Sequence, residues 1–130
     1  MANNRSINRV TLLGNVGNAP ELRSTPQGVP VTSIRLATHS LARDKSSEFV
    51  DLTEWHNVVF WRDLATKAVN LLDKGTRVYI EGSLKTRKYE KDGGVRFITE
   101  VVAETLIVLD GRRHKDDDET DDYDDINIED

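Results

Sequence analysis

Leu52-Thr53-Glu54-Trp55-His56-Asn57-Val58-Val59-Phe60-Trp61, with the stretch Asp63 to Gly75 just behind it, decides the fold. The first stretch is rich in β-branched and aromatic residues and reads as a strand. In the second, Leu64, Ala65, Ala68, Leu71 and Leu72 gather on one helical face. Asp63 is placed to cap that helix and Gly75 to end it. Upstream, Val10 to Val16 reads as a strand that stops in turn chemistry at Gly17-Asn18-Ala19-Pro20, and Ser24 to Pro30 reads as a second turn. Val31 to Thr38 alternates, with Ile34 and Leu36 on one face and Ser33 and Arg35 on the other. Leu41 to Val50 is polar and charged, as a surface loop would be. Downstream, Thr76 to Glu90 and Val95 to Leu109 read as long strands joined by Lys91-Asp92-Gly93-Gly94, a hairpin turn whose glycines can take positive φ.

The order is strand, strand, strand, helix, strand, strand. One short helix cannot cover both faces of a parallel sheet. A small closed barrel solves the problem, with the helix plugging one end and no long bare edge left over. The expected fold class is all-β with one short helix: a five-stranded OB-fold Greek-key barrel over residues 1–110, followed by a disordered acidic tail over 111–130.

Composition narrows the function. The 130 residues are 37% hydrophobic and 32% charged, with no cysteine, which excludes a disulfide scaffold, a thiol nucleophile and a thiolate zinc site. His39, His56 and His114 are too scattered for a metal cluster, so neither metal nor cofactor is expected. Met1 to Ser6 lacks the apolar stretch of a secretory signal and no run is long enough to span a bilayer, so a cytoplasmic protein without membrane partners is expected. The net charge of −5 averages two unlike parts. Ten of the 23 acidic residues lie between Asp116 and Asp130, where there is no Lys or Arg; the remaining 13 face 18 basic residues, a body of +5. A basic body with an acidic tail suits a polyanionic partner, although a solvated surface with a solubilising tail has the same balance.

Side-chain parity makes the partner more specific. Along Leu52 to Trp61, Glu54, His56, Val58 and Phe60 fall on one side, and Trp55, Asn57, Val59 and Trp61 on the other. Both tryptophans of the chain thus share a face, roughly 20 Å apart. On the next strand Val78, Ile80 and Leu84 mark the interior parity, and Lys85, Arg87 and Tyr89 lie on the opposite one. Unpaired bases stack on flat rings while phosphates pair with Lys and Arg, so this mixture fits a single nucleic-acid strand. The competing reading puts the tryptophans in the core and the cations on an ordinary wet strand.

Four ordered blocks carry a family resemblance. Asn8-Arg9-Val10-Thr11-Leu12-Leu13-Gly14-Asn15-Val16-Gly17-Asn18-Ala19-Pro20-Glu21 resembles the opening of bacterial single-stranded DNA-binding proteins, and Thr53-Glu54-Trp55-His56-Asn57-Val58-Val59 their central strand. The run from Lys74-Gly75-Thr76-Arg77 to Thr86-Arg87-Lys88-Tyr89 is similar to their fourth strand, and Thr99-Glu100-Val101-Val102-Ala103 to their fifth. The resemblance implies a homotetramer that holds single-stranded DNA with little sequence preference in replication, recombination and repair. It implies base stacking by Trp55, Trp61 and Tyr89. The implied phosphate contacts are Arg9, Arg35, Arg43, Lys45, Arg62, Lys74, Arg77, Lys85, Arg87 and Lys88, with Lys85 and Arg87 foremost. It sets His56 near a subunit contact. No catalytic constellation of Ser, His and carboxylate emerges, and no enzyme is expected.

Two positions depart from the family pattern. Ala42 stands before Arg43-Asp44-Lys45 where many members have a tryptophan. The tail ends Asp124-Asp125-Ile126-Asn127-Ile128-Glu129-Asp130 in place of aspartates followed by Ile-Pro-Phe. Asp124, Asp125, Ile126 and Ile128 are the candidate contacts for replication and repair proteins. The alternative function is an OB-fold adaptor of the replication or recombination machinery acting mainly through this tail; an OB domain serving an enzyme is a third.

Overall fold

The computed structural model describes residues 5–109. The elements run β1 (Val10–Val16), β2 (Arg23–Ser24), β3 (Pro30–Arg43), β4 (Phe49–Trp61), α1 (Asp63–Leu71), β5 (Arg77–Lys91) and β6 (Gly94–Val108). The acidic tail, with Asp124, Asp125, Ile126 and Ile128, lies outside the described residues.

Pairing closes the sheet on itself. β1 runs antiparallel to β5 from Val10↔Gly82 to Asn15↔Arg77, and β5 antiparallel to β6. β6 meets β4 in a short parallel seam at Val58↔Val101 and Val59↔Val102. β4 pairs with β3 over its whole length, and β3 returns to β1 at Asn15↔Ala37 and Val16↔Leu36. These five strands form the expected OB barrel; β2 is a two-residue addition at the edge of β3, and its Ser24 opens the stretch expected as a turn.

The alternation of apolar residues fills the interior. Ile34 and Leu36 of β3, Val58 and Phe60 of β4, Val78 and Ile80 of β5, and Leu106 of β6 are buried together. Each such side chain contributes about 1.5–3 kcal/mol by leaving water. α1 packs against β3, β4 and β6, and its buried positions are Ala65 and Ala68, small enough to let the helix approach the barrel closely. The buried Thr32 hydroxyl donates to the Glu21 carbonyl at 2.7 Å, so the core leaves that polar group satisfied.

The helix ends differ from expectation. Asp63 is the first helical residue and does not cap; Arg62 holds the cap position at φ 59, with no side-chain capping bond. The cause is that β4 runs to Trp61, so Arg62 alone must turn the chain, its N–H donating to the Pro30 carbonyl at 2.8 Å. Asp63 keeps a role in the first turn, where its charge faces the positive end of the helix. At the other end Leu72 is already extended. Gly75 lies beyond it, at φ 94, and belongs to the turn into β5, where its N–H donates to the Val16 carbonyl at 2.7 Å.

Leu41 to Val50 is not a loop. β3 and β4 stay paired out to Arg43↔Phe49, leaving residues 44–48 as the turn. A two-stranded ribbon standing clear of the barrel is wet on both faces, so its composition resembles a loop. The Asp44 carboxylate holds the turn, accepting from the Ser46 N–H at 2.9 Å, the Ser46 hydroxyl at 2.9 Å and the Glu48 N–H at 3.0 Å. Leu84 is likewise displaced from the interior, at 49% exposure, because the β5–β6 hairpin continues past the core. In that hairpin's turn the left-handed pair is Asp92 and Gly93 (φ 55 and 77), while Gly94 already pairs with Lys91.

Candidate nucleic-acid interface

The register of β3 and β4 is unbroken from Val31↔Trp61 to Arg43↔Phe49. Odd-numbered residues of both strands therefore share one face of the ribbon, and even-numbered ones the other. Val58 and Phe60 point into the barrel and are sealed. Trp55 and Trp61 stand outside, 48% and 41% exposed. The core reading of the two tryptophans fails.

Trp55 is held in place from its own surroundings. The Arg35 guanidinium lies 4.3 Å from the indole centroid, a cation–π contact. Gly17 lies against the ring so closely that a Cβ there would stand 2.6 Å from Trp55 Cζ3. The backbone around Gly17 is fixed in turn: its N–H donates to the Arg35 carbonyl at 2.7 Å, and Asn18 Oδ1 accepts from the Arg35 N–H at 2.8 Å. The turn after β1 thus supports the ring from one side.

Between the β3–β4 and β5–β6 ribbons lies an open cleft of about 930 Å³. Trp61 forms a wall, Val59, Ile98 and Val102 an apolar floor, and Arg35, Lys85 and Arg87 bring the cations. Such a cleft can take the faces of bases against its floor and phosphates at its rim. Lys85 and Arg87 reach it because β5 presents alternate residues to this side, and Tyr89, 38% exposed, follows on the same parity farther out along the hairpin.

Arg87 is not free. Its Nε donates to Glu100 Oε1 at 3.0 Å and its Nη2 to Oε2 at 3.1 Å, a two-bond pair that holds the guanidinium still more firmly in its charged form. The Glu100 side chain is 12% exposed. It lines the cleft directly opposite Lys85 in the strand register.

The remaining cations lie elsewhere. Arg43 and Lys45 are at the tip of the β3–β4 ribbon, and Arg62 is at the junction of β4 and α1. Lys74 is in the turn before β5, and Arg77 is the first residue of that strand. Lys88 pairs with Phe97 on the reverse face of the hairpin. Arg9 precedes β1 and acts electrostatically on Tyr79, whose hydroxyl donates to Glu81; that bond pushes the Tyr79 pKa up. All are exposed, and none lines the cleft. His56 is half-buried on the inner parity of β4, its Nε2 2.9 Å from the Thr38 hydroxyl. Arg23, Asn57 and Glu100 line the cleft without having been anticipated. Arg96, opposite Tyr89, was also missed.

The match to the single-strand binding protein family spans residues 7–109. The chain belongs to that family. Among curated family relatives, the single-stranded DNA-binding protein of Xylella fastidiosa is 43% identical over 109 residues, covering 83% of this chain and 66% of the relative. That of Xanthomonas campestris is 41% identical over 109 residues, covering 83% of this chain and 63% of the relative. The chain therefore spans a little under two thirds of these family members. Among solved structures of the family, a Plasmodium falciparum SSB complex with ssDNA superposes with a TM-score of 0.74 at 34% identity, covering 84% of this chain and 100% of that one. A deletion mutant of the Thermus aquaticus single-stranded DNA binding protein gives a TM-score of 0.71 at 32% identity, covering 82% of this chain and 52% of that one.

Proposed function

We propose that this chain binds single-stranded DNA without reading its sequence, as a non-enzymatic holder of exposed strands in replication, recombination and repair, assembled as a homotetramer. The observation that carries the proposal is the pair of exposed indoles, Trp55 and Trp61, on the same outer ribbon face as Arg35 and beside the cleft that Lys85 and Arg87 reach. A duplex hides its base faces, so rings that stack favour an unpaired strand. The family relatives named for single-stranded DNA binding and the solved complex with ssDNA support the same ligand. In this reading Trp55, Trp61 and Tyr89 stack bases, Lys85 and Arg35 take phosphates, and Arg87 does so once it releases Glu100. The exposed cations outside the cleft extend the path of the strand over the barrel.

The test is a titration with poly(dT), followed by quenching of tryptophan emission, over a range of salt. Binding should weaken as salt rises, because phosphates shed counterions when they meet Lys and Arg. Trp55→Ala should weaken it by about 1–3 kcal/mol. Unquenched emission with no binding at low salt would remove the proposal.

A further inference from the structure

The outer ribbon face that bears Trp55 and Trp61 also carries a phenyl ring. Phe49 is the first residue of β4 and 63% exposed, an unusual cost for a phenylalanine with no core to enter. The unbroken register puts it on the parity of both tryptophans. It lies six residues before Trp55, as Trp55 lies six before Trp61, so the three rings are spaced along one strand at roughly 20 Å intervals.

Its surroundings repeat those of Trp55. The Arg43 guanidinium lies 4.8 Å from the Phe49 centroid, as Arg35 lies 4.3 Å from that of Trp55. In each case a β3 arginine sits over a β4 ring, leaving much of the ring open to water and a cation beside it. Phe49 is also fixed by its place, directly opposite Arg43 at the last rung before a turn tied by Asp44. A ring held this way loses little freedom when something stacks on it.

We propose that Phe49, with Arg43 beside it, is a further base-stacking platform, the third on β4, which carries the bound strand beyond the barrel onto the projecting β3–β4 ribbon. The inference rests on the single-stranded DNA reading of the Trp55 and Trp61 face. Base stacking, not contact with another protein, is favoured because each ring is paired with a cation, the combination that a phosphate–base unit meets with both of its parts.

The test uses the full chain. Phe49→Ala and Phe49→Leu should each weaken poly(dT) binding about tenfold, the loss of one stacked base, since leucine keeps the apolar surface but has no π-face. Phe49→Trp, in a chain whose Trp55 and Trp61 are changed to Phe, provides one reporter indole at the ribbon tip. Its emission should be quenched on addition of poly(dT). Unchanged affinity of Phe49→Ala, or an unquenched tip indole in a chain that still binds, overturns the inference. So does a Phe49→Ala chain whose sedimentation shifts while its poly(dT) affinity holds, which would make the ring a protein contact. If the unaltered chain fails to bind poly(dT), the reading of the whole face fails, and that result is distinct from the others.

Discussion

Arg87 and Glu100 hold each other through two parallel N–H···O bonds inside the cleft that the cations of β5 would open to phosphate. A strand that uses Arg87 has to displace a carboxylate first, and the freed Glu100 then sits among phosphates with its charge unpaired. Glu100→Gln should therefore bind poly(dT) more tightly at low salt. Its salt dependence should also steepen by about 0.7 in slope, the share of one further phosphate on a single strand. Identical affinity and slope would mean that Arg87 never meets the backbone. Glu100 escaped the sequence reading for a definite reason. Parity is read along β5 alone and not carried across the hairpin, although Glu90 opposite Val95 already sets Glu100 opposite Lys85 and Arg96 opposite Tyr89. The tryptophans were legible because strict alternation separates Trp55 and Trp61 from Val58 and Phe60 whatever the neighbours are.

At the scale of the element, the β3–β4 ribbon depends on a turn of five residues tied by one carboxylate. The Glu48 N–H, then the Ser46 hydroxyl, hold the Asp44 pKa below its ordinary 3.8. A depressed carboxylate supports the folded turn at any pH above its ordinary value, and that support goes as pH falls through the lowered value. An NMR titration from neutral to strongly acid pH should show the Ser46 and Glu48 amides moving toward unstructured shifts while those of β1 and β5 stay put. In Asp44→Ala the same amides should start there at neutral pH. Amide shifts that are insensitive to both would remove Asp44 as the tie. This element was the least legible part of the fold, since Arg43, Asp44, Lys45 and Glu48 have the composition of a loop and nothing local marks a ribbon held by register. Helix α1 was legible in its apolar stripe but not at its ends, because Arg62 takes its shape from the end of β4 and Leu72 from the turn that leads into β5.

For the whole molecule the governing quantity is the division of charge between a basic body and ten acidic residues after Lys115. If those acids reach the cations of the body, they compete with DNA there, most strongly where salt screens least. A chain ending at Lys115 should bind poly(dT) more tightly at low salt, with the advantage fading as salt rises. Equal curves would leave the acidic segment without influence on the cleft. Barrel closure has a different kind of consequence. β1 finds its main partner in β5, and the Asn8 side-chain amide clasps the Leu84 backbone in both directions, at 2.9 and 2.8 Å. During synthesis β1, met by β3 only at Asn15 and Val16, must therefore wait for its longer pairing until most of the sequence after it has followed. Folding of this chain should accordingly be paced by that late homecoming, and a nascent chain halted before Arg77 should be where stray association begins.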